Sequence, residues 1–167
     1  MEAIGLGGKT LQIIKSMYRN DNLRFLVNGK LTQRLWLTCG VKQGCSMSPL
    51  LFSIFISDLG AELNRSGLAL GVQLDEKTNV SAIFFADDLA LISESEENLN
   101  KLLKIVSNWT TKWKMNISVT KSKVMSMSSD LKTWNLFNTE ERKWDKMEVV
   151  KCFKYLVFLL ENFKCLY

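Results

Sequence analysis

The most informative part of this 167-residue chain is the segment 80–93, which reads Val80-Ser81-Ala82-Ile83-Phe84-Phe85-Ala86-Asp87-Asp88-Leu89-Ala90-Leu91-Ile92-Ser93. Two short apolar runs, 80–86 and 89–93, have the character of β-strands. They meet at Asp87 and Asp88, and aspartate is a residue type that favours turns. The pattern predicts a hairpin that carries two adjacent carboxylates at its tip.

Two carboxylates held this close together repel each other unless a cation neutralises them. Hard divalent cations such as Mg²⁺ or Mn²⁺ bind carboxylate oxygens and keep water or phosphate oxygens as their remaining ligands. That arrangement is the one required for two-metal phosphoryl transfer. The pair also fits a solvated Asp-Asp turn without a function, and the hairpin alone does not separate the two interpretations.

A glycine-flanked loop precedes the hairpin along the chain and leads into an apolar segment. It reads Gly40-Val41-Lys42-Gln43-Gly44-Cys45-Ser46-Met47-Ser48-Pro49-Leu50-Leu51-Phe52. Gly44 lets the backbone approach a ligand closely, and Gln43 offers both a donor and an acceptor. Ser48 as N-cap and Pro49 as the first helical residue predict a helix that runs to near Gly67. The N-terminus of that helix favours a bound phosphate.

The order and spacing of these two segments resemble the reverse transcriptases of non-LTR (LINE-type) retrotransposons. Gly-x-x-Gln-Gly-x-x-x-Ser-Pro-Leu-Leu-Phe followed by Phe-Ala-Asp-Asp is similar to motifs B and C of that family. The resemblance implies an α+β polymerase palm, in which an antiparallel sheet is covered by helices on one face. It also implies an RNA-directed DNA polymerase in which Asp87 and Asp88 are catalytic and hold Mg²⁺ or Mn²⁺. Gln43 and Gly44 would line the nucleotide and the template.

Two further segments extend the resemblance downstream. Trp113-Lys114-Met115-Asn116 with Lys121-Ser122-Lys123 is similar to motif D, which implies that Lys121 lies near the nucleotide phosphates. Cys152-Phe153-Lys154-Tyr155-Leu156 is similar to the primer-grip hairpin, which implies that Tyr155 and Leu156 support the primer end. The family usually continues that hairpin with glycine, whereas this chain has Val157. A solvated loop lysine and a buried aromatic strand are the alternative interpretations of these two segments.

The family's third metal-binding carboxylate lies in motif A, on a strand upstream of motif B. The acidic residues that precede Asp87 are Glu2, Asp21, Asp58, Glu62, Asp75 and Glu76, and none has the motif A pattern. We therefore expect one partial reverse transcriptase domain over residues 1–167, a palm with a remnant of the fingers and without thumb or endonuclease. We expect little activity from the isolated chain unless another polymerase chain complements it. A non-catalytic retroelement remnant that binds RNA or a protein partner is the alternative.

Composition restricts the chemistry further. The chain has no histidine, which excludes Ser-His-Asp and Cys-His catalysis, and its four cysteines show no Cys-x-x-Cys spacing. Residues 51–100 carry nine acidic and two basic side chains, whereas the net charge of the whole chain is +5. An acidic centre between basic flanks suits a protein that binds a polyanion around a cation, and solvated helix faces are the alternative interpretation of the same charges. The family resemblance implies that the partners are an RNA template, a DNA primer and deoxynucleoside triphosphates. We expect an intracellular chain without membrane contact, because no signal peptide or membrane span is evident.

The remaining elements follow from local signals. Helical spacing of Leu11, Ile14 and Tyr18 predicts a first helix over about 9–19. Asn28-Gly29 predicts a hairpin between the runs 24–27 and 31–38. Ser93 and Glu96 predict a capping box for a helix striped by Leu99, Leu102, Leu103, Val106, Trp109 and Trp113. Strands are predicted near 123–127, 147–150 and 153–158.

Overall fold

A computed structural model of the chain describes residues 5–19, 21–37, 40–42, 44–127, 134–138, 143–155 and 158–161. It contains three α-helices and short, mainly antiparallel strand pairs, so the predicted α+β class is confirmed for these ranges. The chain divides into two compact units, residues 1–58 and 59–167. No helix in the described ranges combines the length and apolarity needed to cross a membrane.

The first unit begins with helix α1, Gly8–Tyr18, close to the predicted range. A nested hairpin follows, in which β1 (Asn22–Leu23) pairs with β4 (Leu35–Trp36) and β2 (Leu26–Val27) pairs with β3 (Lys30–Leu31). Its turn is formed by Asn28 and Gly29, at φ 49° and 75°. Both residue types tolerate the left-handed conformation that a tight hairpin turn needs, so the predicted hairpin is confirmed, with shorter strands.

Helix α2, Ser48–Gly67, has the predicted length, but its start differs by one residue. Met47 supplies the carbonyl that accepts a bond from Leu51 N–H at 3.0 Å. The Ser48 hydroxyl instead donates to the carbonyl of Lys42 at 2.7 Å. Ser48 was therefore wrongly predicted as the N-cap, because its hydroxyl holds the preceding loop.

The second unit contains two hairpins before helix α3, Glu96–Trp113. Strand β5 (Val72–Gln73) pairs with β6 (Asn79–Val80), and β7 (Ala82–Phe85) pairs with β8 (Asp88–Leu91). The strands after α3 are β9 (Lys123–Val124), β10 (Trp134–Asn138), β11 (Lys143–Val149), β12 (Cys152–Tyr155) and β13 (Phe158–Glu161). Strand β11 pairs in parallel with β9 and antiparallel with β10, and β12 forms an antiparallel pair with β13.

The core of the second unit is built from α3 and the end of α2. Leu59, Leu63 and Leu102 are almost completely inaccessible to solvent, and Val106 and Trp109 are also buried. A second apolar cluster forms around Val124 and Met147, with Leu99, Leu103, Ile117, Val119 and Val149 packed against it. The predicted stripe of α3 is thus confirmed except at Trp113, whose side chain is 43% exposed.

The predicted capping box of α3 is wrong in position. Ser95 is the N-cap, and its hydroxyl accepts a hydrogen bond from Asn98 N–H at 3.2 Å. The Ser93 hydroxyl donates to the Ser95 carbonyl instead. The reason is that Ile92 N–H donates to the Ser81 carbonyl at 2.9 Å. This bond extends the β7–β8 pairing, so the helix begins at a later residue than predicted.

Candidate active-site hairpin

The two adjacent carboxylates lie where β7 turns into β8. The register pairs Phe85 with Asp88, so the two-residue turn consists of Ala86 and Asp87. The predicted turn at Asp87-Asp88 is therefore displaced by one residue, and Asp88 is the first residue of β8. Ala86 adopts φ 52°, a left-handed conformation that is strained for a residue with a Cβ.

The register also determines which face of the hairpin each side chain occupies, because cross-strand partners project to the same side. Phe84 and its partner Leu89 form the half-buried face. On the other face Ile83 and Phe85 are 45% and 58% exposed, and Asp88, the partner of Phe85, is also exposed. Asp88 therefore lies on the outward face of the hairpin, next to an exposed aromatic ring.

Helix α2 passes close to the inward face at Gly60. A Cβ placed on Gly60 would stand 3.7 Å from Phe84 Cε2. Helix α3 contacts β8 as well. The inward face is therefore packed against helices, while the tip with Asp87 and Asp88 stays in solvent.

Asp87 and Asp88 are chemically suited to a divalent cation. Both are exposed, and neither carboxylate forms an ion pair or hydrogen bond with another residue in the described part of the chain. Their two negative charges are thus uncompensated within that part, and carboxylate oxygens are preferred ligands of Mg²⁺ and Mn²⁺. Within the same ranges, no three His, Cys, Asp or Glu side chains are grouped so that they could hold a metal ion. These residues fit a site with two protein carboxylates.

The loop before α2 belongs to the first unit. Gly40 and Gly44 have φ 88° and 78°, conformations that strongly favour glycine. Among the described residues, no atom lies within 4 Å of a Cβ built on Gly44, so open space surrounds this position. Gln43, predicted to bind nucleotide or template, lies outside the described residues.

Side-chain contacts that were not predicted from the sequence hold this loop. Lys42 Nζ lies 3.1 Å from Asp21 Oδ1 and 5.6 Å from the ring centroid of Tyr18. The Tyr18 hydroxyl lies 3.4 Å from the Ser48 hydroxyl. Only one signal pointed to Asp21, which is one of just two acidic residues among the first 50.

The same loop stabilises negative charge at Cys45. A hydrogen bond from the backbone N–H of Met47 is the main cause of the lowered pKa of the Cys45 thiol. Hydrogen bonds from Ser48 and the charge of Lys42 lower this pKa further, whereas desolvation opposes them. Backbone N–H groups that stabilise a thiolate also suit an anionic ligand such as a phosphate.

The other predicted site residues lie in the second unit. Lys121 is exposed in the turn before β9, and its N–H donates to the Ser118 carbonyl at 3.1 Å. The neighbouring Lys123 differs, since its ammonium pairs with Glu148. Tyr155 ends β12 opposite Phe158, as expected for a hairpin, and Leu156 lies outside the described residues.

The chain thus has an α+β fold in which a hairpin with two adjacent carboxylates follows a glycine-rich loop and a helix. The chain belongs to the reverse transcriptase (RNA-dependent DNA polymerase) family, whose family model matches residues 1–160.

Individual relatives agree with this assignment. The chain is 29% identical over 96 residues to a Retrovirus-related Pol polyprotein from type-1 retrotransposable element R2 of Popillia japonica, covering 58% of the chain and 16% of that protein. It is 27% identical over 122 residues to the RNA-directed DNA polymerase from mobile element jockey of Drosophila funebris, covering 70% of the chain and 13% of that protein. The predicted resemblance to non-LTR retrotransposon reverse transcriptases is confirmed. The chain spans about one sixth or less of the length of these relatives.

Proposed function

We propose that this chain is part of an RNA-directed DNA polymerase with the polymerase palm fold, in which Asp87 and Asp88 carry the catalytic metal ions. The observation that supports this proposal most is the position of the two uncompensated carboxylates at an exposed hairpin tip, in a chain of the reverse transcriptase family. The substrates are an RNA template, a DNA primer and deoxynucleoside triphosphates. The reaction is attack of the primer 3′-hydroxyl on the α-phosphate of the incoming nucleotide.

In this proposal, each candidate residue acts on charge or position. Asp87 and Asp88 hold Mg²⁺ or Mn²⁺, which when bound neutralises phosphate charge and lowers the pKa of a coordinated hydroxyl. The open backbone at Gly44, together with Gln43, lies against nucleotide and template. The ammonium of Lys121 stabilises the leaving pyrophosphate, and Tyr155 and Leu156 support the primer end.

We propose further that residues 1–167 form one partial polymerase domain that is nearly inactive by itself. Two carboxylates leave most coordination positions of a bound ion to water, which positions the ion weakly. A complementing polymerase chain would supply the missing ligand. The rate also depends on geometry, since a misplacement of about 1 Å costs on the order of 10²-fold.

A non-catalytic remnant that binds RNA or a protein partner is the second candidate. It is favoured by one observation, namely that no third metal-ligating side chain joins the Asp87–Asp88 pair within the described ranges. A polymerase and a non-catalytic remnant would both bind nucleic acid or a protein partner. They differ in whether the two carboxylates contribute to nucleotide incorporation.

Primer extension on an RNA template with Mg²⁺ tests the two candidates. Incorporation of labelled nucleotide would be measured for the chain alone and for a version linked to a polymerase segment that supplies a third carboxylate. The linked version should incorporate nucleotide, and Asp87→Asn should abolish the activity, whereas Glu76→Gln should not. Incorporation that is absent in the linked version, or that is equal in Asp87→Asn, would favour the remnant.

A further inference from the structure

Helix α3 from its third residue onward, together with the segment after it, has the most one-sided charge distribution in the chain. Residues 98–127 contain six lysines and no aspartate or glutamate. A run of this length without a carboxylate concentrates positive potential on one part of the surface, unless acidic residues from elsewhere neutralise it.

Two of these six lysines are neutralised. Lys101 Nζ lies 2.7 Å from Glu97 Oε1, and Lys123 pairs with Glu148 of β11. Lys104, Lys112 and Lys114 are exposed and form no ion pair with any residue that the structure describes. We call the surface formed by Lys104, Asn108, Lys112 and Lys114 the lysine face.

The helical period aligns the lysine face on the solvent side of α3. Lys104, Asn108 and Lys112 are spaced four residues apart, which places them in one row. All three are exposed, whereas Leu102, Val106 and Trp109 of the same helix are buried. Lys104 and Lys112 are separated by about 12 Å along the helix axis, a distance that spans several phosphates of a nucleic-acid strand.

An aromatic ring lies at the end of this row. Trp113 is 43% exposed, and the Lys112 ammonium lies 5.2 Å from the centroid of its ring. The ring of Trp109 supports it from the buried side at a centroid distance of 6.3 Å. A partly exposed indole beside ammonium groups without a carboxylate partner in the described residues is the combination that binds single-stranded nucleic acid, because bases stack on the ring while lysines contact phosphates.

We infer that the lysine face binds the phosphate backbone of single-stranded RNA and that Trp113 stacks on one of its bases. The inference rests on the proposed function for the choice of RNA as the polyanion. An anionic membrane is a poorer fit, because Trp113 is the single large apolar side chain beside this row of lysine and asparagine, whereas a membrane-binding helix presents a whole apolar face. The lysine face excludes Lys121, so it is separate from the predicted nucleotide-binding lysine.

The test measures binding of the 167-residue chain to a labelled single-stranded RNA of about 20 nucleotides across a salt titration. Lys104→Gln/Lys112→Gln is compared with Lys9→Gln/Lys15→Gln, which removes the same charge from exposed positions of α1. Each single-strand phosphate contact contributes about −0.7 to the slope of log K against log salt, equivalent to about fivefold in affinity at 0.1 M salt. The lysine-face variant should therefore bind roughly 10- to 30-fold more weakly, with a slope shallower by about 1.4.

The control variant should bind within about twofold of the original chain. Trp113→Leu should weaken binding about fivefold or more without changing the slope, because stacking releases no counterions. Equal weakening in the two lysine variants, or an unchanged slope, would overturn the inference in favour of diffuse charge. If Lys104→Gln/Lys112→Gln lost binding to phosphatidylserine vesicles but kept its affinity for RNA, the inference would be overturned in favour of a membrane.

Failure of this inference is distinguishable from failure of the proposed function. The RNA-binding measurement needs neither Mg²⁺ nor nucleotide, so its outcome does not depend on whether the chain is catalytically active. If the lysine face binds RNA while the linked polymerase is inactive, the inference stands and the catalytic proposal fails. Thermal melts of the lysine variants should match the original chain, since surface substitutions of this kind change stability little.

Discussion

Gly60 of α2 lies against the ring of Phe84 in β7, and a Cβ at position 60 would stand 3.7 Å from Phe84 Cε2. That distance is ordinary van der Waals contact, so the site has room for a methyl group. A larger side chain would displace the strand that leads to Asp87 and Asp88. The contact thus links the helix after the glycine-rich loop to the carboxylate hairpin.

We expect Gly60→Ala to stabilise the protein. Glycine inside a helix costs about 1 kcal/mol relative to alanine, and the added methyl group would gain contact with Phe84. The free energy of unfolding in urea should rise by about 0.5–1 kcal/mol. Gly60→Leu is the contrasting variant and should lower it, because the larger side chain collides with the ring. A loss of stability in Gly60→Ala would contradict the described packing.

The opposite result is expected at Gly71, just before β5. A Cβ there would collide with Asn79 Oδ1 and the carbonyl oxygen of Val80, and would lie 2.6 Å from the Val80 carbonyl carbon. Backbone atoms of a paired strand cannot move away easily, so Gly71→Ala should lower the free energy of unfolding by about 1–3 kcal/mol. Gly7→Ala is the matched control, because a Cβ at position 7 meets no atom within 4 Å. Equal stabilities of the two variants would show that Gly71 does not lie this close to Val80 in the β5–β6 hairpin.

The strained turn of the carboxylate hairpin gives a third prediction. Ala86 has φ 52°, where a residue with a Cβ is disfavoured by about 1–2 kcal/mol. Ala86→Gly should therefore raise the melting temperature, and Ala86→Val should lower it, because a β-branched residue tolerates this conformation least. Differential scanning calorimetry would measure both. A destabilised Ala86→Gly would indicate that the left-handed turn is not present in solution.

The two hairpin carboxylates should bind a divalent cation weakly. Isothermal titration with Mn²⁺ should give a dissociation constant on the order of 1 mM, because most ligands of the ion remain water. Binding should vanish in Asp87→Asn/Asp88→Asn. It should persist in Glu96→Gln/Glu97→Gln, which removes another adjacent pair of exposed carboxylates at the start of α3. The reverse pattern would place the metal ion at α3.

Asp75 should make the β5–β6 turn sensitive to acid. Its carboxylate accepts hydrogen bonds from Lys77 N–H at 2.8 Å and Thr78 N–H at 2.7 Å. These bonds lower the pKa of Asp75, and the bond from Lys77 N–H has the largest effect. A carboxyl group whose pKa is lower in the folded state stabilises the fold above its unfolded pKa and loses this contribution as pH falls through the folded value.

The stability difference between the original chain and Asp75→Asn should accordingly be present at neutral pH, begin to shrink near the unfolded pKa of about 4, and be lost as pH falls through the lower folded pKa. Urea unfolding at several pH values measures it, and the carboxyl ¹³C shift of Asp75 reports its titration directly. If this stability difference grew as the pH was lowered, the pKa of Asp75 would be raised in the folded state and not lowered.

Several elements of the fold were predictable because their signals act over a few residues. Asn28-Gly29 specified a tight turn, the apolar spacing of α3 specified its buried face, and the segment 48–67 specified the length of α2. These signals depend on backbone preference and on the helical period, and neither requires contact with distant parts of the chain. The adjacency of Asp87 and Asp88 on an apolar hairpin was available in the same way.

Pairing and packing decided the rest. The register that pairs Phe85 with Asp88 sets Asp88 in a strand and on the outward face. The hydrogen bond from Ile92 N–H to the Ser81 carbonyl extends the strand pairing as far as Ile92, so α3 begins later in the chain, after its N-cap Ser95. The ion pair of Lys42 with Asp21 and the parallel pairing of Glu148 with Lys123 join residues far apart in the chain. Such contacts depend on which segments fold against each other, and local propensity carries no information about that choice.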